Sequence, residues 1–378
     1  MLSKKILIVS GEPSGDLHAS NLVRDLRSLN PSLSFFGMGG DLCRGSGVDI
    51  VFDISDLALV GVVEVLRHLT TVKKAHDAVM DRVKKERPDL AILVDYPGFN
   101  LKLAIDLAKM SVPIVYYISP QLWAWGKQRI HIIKRCVRKM IVFFKFEESL
   151  YRSWGIDTEC VGHPLLDIVK VTSPQKDVFE KYNLADGKFT IALLPGSRIS
   201  EIRNFMPVLG QASELIEKRL GNTQFIISKR PERPMELYEE AITGFKFDIR
   251  FAEEDLHNIV AASDLAIVAS GTATLETAIL GTPLIVIYRA NFLTFLLYKM
   301  VSTTRYLGIV NIVAGKEIAP ELLQFNMTPE KIASKAIEML SSPELIASIR
   351  RELAAVKASL GSPGASLRAA QAIIALLR

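Results

Sequence analysis

The sequence predicts an α/β protein built from two doubly wound domains. Short β-branched runs that end in Gly, Ser, Pro or Asp alternate with helical segments, which is the pattern of parallel sheets made from βαβ units. Two such series occur, separated by a polar stretch. The length of 378 residues also suits two domains, because a single hydrophobic core stops growing at roughly 250–300 residues.

The first series predicts four strands in a Rossmann-like domain over residues 1–170. Each is a continuous apolar run, as expected for a strand that helices cover on both faces. The expected strands are residues 6–9, 90–94, 113–117 and 140–143.

A polar stretch at residues 169–187 is the expected connection to a second Rossmann-like domain over residues 188–360. The strands of that domain are expected at residues 189–194, 224–228, 265–268 and 284–287. From residue 328 onward the pattern is amphipathic helix, with a Gly-Ser-Pro-Gly break before a last helix over residues 365–378. Because ligands bind beyond the carboxyl ends of parallel strands, we expect the two domains to face each other across a ligand cleft.

The composition narrows the function classes. Hydrophobic residues make up 49% of the chain and charged residues 23%, which indicates a packed globular protein. Three widely separated cysteines and the absence of a secretory signal pattern favour a cytoplasmic location. No stretch has the ~18–20 uninterrupted apolar residues of a membrane-spanning helix. The net charge of +5 is too small to indicate a nucleic-acid partner.

The strongest ligand signal is the turn Ser270-Gly271-Thr272, which follows a strand and opens a helix. Backbone N–H groups at a helix N-terminus bind anions, and Gly271 lets a diphosphate approach closely. Glu276, one turn further along, is a candidate partner for ribose hydroxyls. The alternative is an ordinary Ser/Thr cap on a core helix.

A second phosphate-type element follows the first strand of the second domain. Gly196 and Ser197 offer backbone donors, and Arg198 carries a permanent guanidinium fork. Taken alone, this turn is equally well a solvated loop. The chain contains no Asp-x-Asp motif that would hold a metal on a diphosphate, so no metal and no other cofactor is expected. Helix N-termini and Arg198 would then balance the phosphate charge.

The loop after the first strand offers polar groups suited to sugar hydroxyls, namely Glu12, Ser14 and Asp16. It lacks the Gly-x-Gly-x-x-Gly spacing of a dinucleotide site, and Pro13 removes an N–H donor, so NAD is disfavoured. For Asp16, capping of the next helix is an equally good explanation.

Asp95 is the candidate general base, because it stands where a buried strand ends at the expected cleft. A partly apolar setting would raise its pKa towards the working pH. Asn100, in the same segment, is a candidate acceptor contact. The alternative is a strand-end Asp that closes a Pro-Gly turn.

Aromatic and basic segments suggest contacts with a sugar or a membrane. Trp123 and Trp125 follow a strand and would stack on a sugar ring, sit at a lipid interface or pack in the core. His163 is the histidine placed where the cleft is expected. Residues 126–139 contain basic but no acidic side chains and are a candidate for an anionic membrane surface. Residues 291–300 are rich in bulky apolar side chains and are a candidate for an acyl-chain groove or for contact with lipid. Interdomain packing explains the apolar segment equally well.

In combination and in order, these motifs resemble the lipid-A-disaccharide synthases, glycosyltransferase family 19 of the GT-B fold. The resemblance runs from residue 6 to the C-terminal helices. The matching segments are residues 11–16, 95–100, 117–125, 162–164, 193–198, 269–276, 281–283, 288–289 and 311–315.

The resemblance implies an inverting transfer of 2,3-diacylglucosamine from its UDP derivative to the 6-hydroxyl of 2,3-diacylglucosamine 1-phosphate. The products would be UDP and the β-1,6 disaccharide of lipid A. It further implies that Asp95 is the essential acidic residue and that Asn311 is another polar site residue. The last helix is expected to return to the N-terminal domain. The protein is expected to bind the inner membrane peripherally, and a homo-oligomer is left open.

Two other functions stay open on the sequence alone. Another GT-B enzyme, such as a UDP-N-acetylglucosamine 2-epimerase, would keep the nucleotide site and need no lipid. A non-catalytic nucleotide-sensing protein on the membrane would also show a basic helix and a diphosphate site.

Overall fold

The computed structural model describes residues 4–57, 64–124, 126–291, 295 and 304–377, with residues 64–69 described by their backbone alone. The chain divides into two compact units. The first unit contains Met1–Pro164 and Gly361–Arg378, and the second contains Leu165–Leu360.

The first unit is a seven-stranded parallel sheet in the order β3-β2-β1-β4-β5-β6-β7. Its strands are β1 Lys5–Ser10, β2 Ser34–Gly39, β3 Val48–Asp53, β4 Leu90–Val94, β5 Ile114–Tyr117, β6 Lys139–Val142 and β7 Thr158–Cys160. The helices between them are α1 Pro13–Leu29, α2 Asp41–Gly45, α3 Glu64–Glu86, α4 Pro97–Lys109, α5 Ile130–Cys136 and α6 Lys145–Ser153. Every residue of β4 is buried, because helices cover both faces of the sheet.

The second unit is a six-stranded parallel sheet in the order β10-β9-β8-β11-β12-β13. Its strands are β8 Phe189–Leu194, β9 Thr223–Lys229, β10 Ile249–Glu253, β11 Leu265–Ala269, β12 Leu284–Tyr288 and β13 Glu321–Leu323. Its described helices are α7 Leu165–Ile168, α8 Gln175–Lys181, α9 Ile199–Leu220, α10 Glu236–Ile242, α11 Leu256–Ala261, α12 Thr272–Leu280, α13 Ile309–Ala314, α14 Pro329–Leu340 and α15 Pro343–Ser359. Two parallel sheets flanked by helices confirm the predicted fold class.

In both sheets the strand order changes direction at one point, and the loops that follow the two strands at this point separate from each other. In the first unit β1 lies between β2 and β4, and in the second β8 lies between β9 and β11. The loops after the two central strands therefore leave to opposite sides of the sheet, and the space between them is where open α/β sheets bind ligands. Residues 11–16 and 95–96 follow β1 and β4. Residues 195–198 and 270–271 follow β8 and β11.

The last helix, α16 Ala365–Leu376, packs in the first unit. Its buried residues Ala369 and Ile373 share a core with Leu22 of α1. Arg368 Nε donates a 2.8 Å hydrogen bond to the carbonyl of Val161. The C-terminal end of the chain thus completes the core of the N-terminal unit.

The prediction that residues 169–187 connect the two domains is wrong, both in where the boundary lies and in how the stretch is folded. The units divide between Pro164 and Leu165, and part of the stretch forms α8 within the second unit. The Asn258 side-chain oxygen accepts hydrogen bonds from the backbone N–H groups of Thr172 and Ser173, at 2.8 and 3.1 Å. The polar composition therefore belongs to a surface layer of the second unit.

Over the described ranges, no helix combines the length and the apolar character needed to cross a bilayer. Trp125 and most of the apolar segment at residues 291–300 lie outside the described residues.

Candidate functional site

A cavity of about 260 Å³ lies in the second unit, at the carboxyl ends of β8 and β11. All seven residues predicted to bind the nucleotide line it: Gly196, Ser197, Arg198, Ser270, Gly271, Thr272 and Glu276. The structure therefore brings together two turns that are more than seventy positions apart in the sequence.

The turn after β11 presents the start of α12 to this cavity. Gly271 occupies the N-cap position and supplies no side-chain cap, so the N–H groups of the first helical turn have no side-chain acceptor there. Apart from Gly271 and its two chain neighbours, no heavy atom of the described residues lies within 4 Å of the position that a Cβ on Gly271 would take. An anion has room to approach these donors, which the helix dipole also favours.

The turn after β8 is shaped by Glu201. Its Oε2 accepts hydrogen bonds from the backbone N–H groups of Ser197 and Arg198, at 3.0 and 3.2 Å. Its Oε1 accepts a 3.0 Å hydrogen bond from Arg198 Nη1. A side chain at Gly196 would collide with this carboxylate, and the backbone there has a φ of 101°. The Arg198 side chain stays 74% exposed and can turn towards a ligand.

Glu276 lines the same cavity one turn into α12 and is 18% exposed. Its Oε2 lies 3.7 Å from His257 Nε2. Ser228 and Arg230 also line the cavity, and sequence reasoning missed both. Both could have been found from the sequence, because they stand at the carboxyl end of β9, the strand next to β8.

Asp95 lies at the end of β4 in a strained backbone. Asp95 and Tyr96 have φ angles of 47° and 45°, a left-handed conformation that non-glycine residues rarely adopt. The Asp95 carbonyl accepts hydrogen bonds from the Tyr116 hydroxyl at 2.7 Å and from Asn100 Nδ2 at 2.8 Å. Strain of this kind persists only where the surroundings fix it, and it concentrates at functional sites.

The carboxyl group of Asp95 has a raised pKa. Burial and, to a smaller extent, the nearby charge of Glu12 together raise it from 3.8 to about 6. A carboxylate with this pKa is ionised at pH 7 and still basic enough to accept a proton from a hydroxyl group.

A second cavity, of about 600 Å³, lies at the carboxyl ends of β1, β2 and β3. Glu12 and Asp16 line it together with Tyr96, whose ring packs against Gly11. Its wall also carries apolar side chains: Pro13, Leu42, Ile54 and Leu57. Ser14 is exposed on α1 and is not part of this wall.

Comparison with known proteins identifies the family. The family model for lipid-A-disaccharide synthetase matches residues 6–373. A lipid-A-disaccharide synthase of Syntrophus aciditrophicus is 42% identical over 100% of this chain and 99% of its own length. One from Geobacter sulfurreducens is 36% identical, covering 99% of this chain and 98% of its own length. The chain belongs to the lipid-A-disaccharide synthase family.

Solved structures with low sequence identity share the fold. A putative UDP-N-acetylglucosamine 2-epimerase from Listeria monocytogenes has a TM-score of 0.62 at 14% identity, covering 100% of this chain and 96% of its own. The calicheamicin glycosyltransferase CalG4 has a TM-score of 0.61 at 14% identity, with coverages of 100% and 99%. These likenesses confirm the GT-B type of fold that the resemblance to the synthase family implied.

The structure corrects two site residues implied for the synthase family. Asn311 is fully buried, and its amide donates to Ala319 O and Glu321 Oε1 and accepts from the backbone of Ile318 and Ala319, at 2.7–2.9 Å. These four hydrogen bonds use both donors and both acceptor positions of the Asn311 amide. Asn100 is also fully buried and donates to the carbonyls of Val94 and Asp95. The side-chain nitrogen of Asn100 thus holds the backbone at the end of β4, and the Asn311 amide holds the segment around Ile318 and Ala319.

Asp16 is corrected as well. Its side chain is 4% exposed, and its two oxygens accept hydrogen bonds from the backbone N–H groups of Gly40, Leu42 and Cys43, at 2.7, 3.1 and 3.3 Å. These donors belong to the start of α2, so Asp16 caps a helix that is distant in sequence rather than the helix it stands on.

Trp123 is half-buried and held by Glu147, a residue that sequence reasoning missed. The Trp123 indole N–H donates to Glu147 Oε1 at 3.0 Å, and the Ser119 hydroxyl donates to the same oxygen at 2.7 Å. Burial raises the pKa of Glu147 to about 7 although these donors oppose the shift. The rings of Trp123 and Phe146 meet edge to face with the centroids 5.5 Å apart.

His163 lies between the rings of Phe143 and Phe144, with centroid distances of 5.3 and 5.0 Å. Burial lowers its pKa to about 3, and the neighbouring His18 lowers it in the same direction. His163 is therefore neutral at working pH and cannot supply a positive charge to a phosphate.

The basic segment at residues 126–139 differs from an inserting helix. Its α-helical part, α5, has seven residues, and Ile130 and Ile133 are buried in the core of the first unit. Lys134 and Arg135 are exposed. The aliphatic side chains thus pack in or against this core, and the exposed side chains of the segment, which also include Gln128 and His131, are polar or charged.

Within the described part of the chain, no group of three or more His, Cys, Asp or Glu side chains is arranged to hold a metal ion.

Proposed function

We propose that this chain transfers 2,3-diacylglucosamine from its UDP derivative to the 6-hydroxyl of 2,3-diacylglucosamine 1-phosphate, with inversion at the anomeric carbon. The products are UDP and the β-1,6 disaccharide of lipid A. The observation that carries the proposal is the cavity at the ends of β8 and β11, whose walls contain the complete predicted diphosphate site in a chain of the lipid-A-disaccharide synthase family.

In this proposal the second unit binds the donor. The start of α12 and the guanidinium of Arg198 stabilise the two phosphates, and Glu276 accepts hydrogen bonds from the ribose. The same groups stabilise the negative charge that collects on UDP as it leaves, because they already contact the phosphates when the donor is bound.

Asp95 in the first unit acts as the general base. The acceptor O6 attacks the anomeric carbon, its proton passes to the Asp95 carboxylate, and the bond between the anomeric carbon and the phosphate oxygen breaks. The electron pair of that bond leaves on UDP. A single displacement of this kind inverts the anomeric centre. Tyr116 and Asn100 hold the Asp95 backbone and so orient the base.

The acceptor is proposed to contact the cavity that Glu12 lines. Glu12 offers a carboxylate for sugar hydroxyls, and Ser14 and Trp123 are further candidates in the same unit. The apolar part of the wall around Leu42, Ile54 and Leu57 suits acyl groups.

Peripheral binding to the cytoplasmic face of the inner membrane follows from the proposed lipid substrates. The exposed Lys134 and Arg135 support attraction to anionic lipids, at about 1 kcal/mol for each basic residue near the surface. Sedimentation with anionic vesicles at low and high salt tests this part. Binding that is absent at low salt would contradict it.

Mass spectrometry of the products is the decisive experiment for the activity. The purified protein, given both acylated glucosamine substrates, is expected to form the disaccharide 1-phosphate and an equal amount of UDP. Release of UDP or change at carbon 2 of UDP-N-acetylglucosamine, without any acylated acceptor, would instead indicate an epimerase. Nucleotide binding with no product from either substrate would indicate a nucleotide-sensing protein.

A further inference from the structure

A separate cavity of about 270 Å³ adjoins the nucleotide cavity of the second unit, at the ends of β12 and β13. Arg198 and Ser270 line both cavities, so the two meet beside the predicted diphosphate. The remaining residues of its wall are Tyr288, Ala290, Phe295, Leu307, Leu323 and Gln324.

The wall of this cavity is mostly apolar, and two of its polar side chains, Ser270 and Gln324, are paired with the backbone. The Ser270 hydroxyl donates to Leu307 O at 3.4 Å. The Gln324 amide, in the orientation that satisfies both its atoms, donates to Ala290 O at 3.1 Å and accepts from Ala290 N at 3.0 Å. A sugar hydroxyl placed against the apolar part of the wall, at Ala290, Phe295, Leu307 and Leu323, would lose its water without gaining a partner, which disfavours a polar guest there.

We infer that this cavity takes an acyl chain of the donor sugar; the inference rests on the proposed function. In a UDP sugar the anomeric carbon carries the phosphate through an oxygen, carbon 2 is its ring neighbour, and carbon 3 is one bond further along the ring. An acyl chain on either carbon therefore starts a few bonds from the diphosphate. A diphosphate held at Arg198 and Ser270 places that starting point at the border between the two cavities.

The cavity then sets the donor specificity. UDP-N-acetylglucosamine carries only an acetyl group and leaves most of the apolar wall in contact with water. A longer chain removes that wall and its own methylenes from water, which is worth about a fourfold gain in affinity for each buried methylene. The gain ends when the cavity is full.

Binding of donors with acyl chains of increasing length tests the inference. The measurement is the dissociation constant of UDP alone and of UDP-2,3-diacylglucosamines, for the wild type and for Leu307→Gln. The wild type is expected to gain about fourfold for each added methylene over the first part of the series. Leu307→Gln is expected to lose most of that dependence and to bind UDP alone as the wild type does, because its backbone contacts with Ser270 and Glu321 do not involve the side chain.

Leu345→Gln is the matched control. Leu345 is a half-buried leucine that lines a different surface groove of the same unit, so its replacement is expected to leave the chain-length dependence intact. Ala290→Leu is a second test that adds volume to the cavity wall. It is expected to shift the preference of the enzyme towards donors with shorter acyl chains. It tests the inference even if Leu307→Gln does not fold.

The outcomes separate this inference from the proposed function. An unchanged chain-length dependence in folded Leu307→Gln and Ala290→Leu, from an enzyme that forms the disaccharide, would overturn the acyl cavity and leave the function standing. A wild type that binds acylated donors with the expected dependence but forms no disaccharide would overturn the proposed transfer. No dependence on chain length in the wild type would also remove the acyl cavity.

Discussion

The side-chain amide of Asn100 donates a 2.8 Å hydrogen bond to the backbone carbonyl of Asp95. The Tyr116 hydroxyl donates to the same oxygen at 2.7 Å, and the Asp95 N–H donates to Tyr117 O at 3.0 Å. Three contacts thus hold the backbone of one residue in a left-handed conformation at a strand end. Their combined effect is to fix the direction of a carboxylate whose pKa is raised to about 6.

Replacement of Asp95, the proposed general base, tests its role in turnover. Asp95→Asn is expected to lower kcat by several orders of magnitude and to leave the dissociation constant of UDP near the wild-type value, because the base acts on the acceptor and not on the diphosphate. In the wild type, kcat/KM is expected to fall as the pH drops through about 6, where the carboxylate becomes protonated. Steady-state kinetics across this pH range and calorimetric titration with UDP measure both. Unchanged turnover would remove Asp95 from the mechanism.

The same variant is expected to be more stable than the wild type at neutral pH. The pKa of Asp95 is higher in the folded chain than its ordinary value of 3.8, so folding favours the protonated carboxyl group. The stability that the protonated Asp95 contributes to the wild type is therefore fully present below about pH 4 and is lost as the pH rises through about 6. A neutral Asn avoids this loss, which is on the order of 2–3 kcal/mol for a shift of this size.

Thermal unfolding of both proteins from acid to neutral pH measures the effect. The two curves are expected to coincide in acid and to separate between about pH 4 and pH 6. A wild type that is the more stable protein at neutral pH would mean that the buried charge of Asp95 has a compensating partner.

The strands that sequence patterns located are those with buried neighbours on both sides. β4 and β11 are apolar at every position and fully buried, so composition alone indicates them. Most of the strands that were missed lie at sheet edges, where one side is free and the pattern is mixed. β10, with Arg250 and Glu253 in five residues, is an edge strand of this kind.

In the candidate site, too, some residues have roles that follow from the local sequence, and others have roles that depend on contacts with distant residues. The turns at residues 195–198 and 270–272 were predictable, because a strand end followed by a helix start has one geometry wherever it occurs. The roles of Asp16 and Asn311 were not predictable. The partners of Asp16 are backbone groups more than twenty positions away, and those of Asn311 are the backbone of Ile318 and Ala319 and the side chain of Glu321. Nothing in the sequence says whether a polar side chain near a strand end will meet a ligand or the backbone.

The structural role assigned to Asp16 predicts a loss of stability rather than of binding. Asp16→Ala removes the acceptor of three buried or part-buried N–H groups at the start of α2, and is expected to lower the free energy of unfolding by about 1–3 kcal/mol. Asp41→Ala is the control, since the Asp41 side chain is 94% exposed. Chemical denaturation measures both, and equal stabilities for the two variants would return Asp16 to the list of ligand contacts.

Arg198 is expected to show the opposite behaviour, a loss of binding without a loss of stability. Its ion pair with Glu201 is largely exposed on the arginine side, and exposed pairs contribute between about 0 and 1 kcal/mol. A charge-assisted contact with the diphosphate is worth more, about 1.5–3 kcal/mol. Arg198→Ala is therefore expected to weaken UDP binding by roughly 10-fold to 100-fold with little change in Tm.

Arg203→Ala is the matched control for this substitution. Arg203 is an exposed arginine of the same helix, α9, and it does not line the nucleotide cavity. A general effect of net charge on an anionic ligand would weaken UDP binding in both variants to the same extent, and it would be reduced by salt. A weakening confined to Arg198→Ala that persists at high salt assigns the effect to direct contact, whereas equal affinities in calorimetric titration would show that the turn after β8 does not bind the diphosphate.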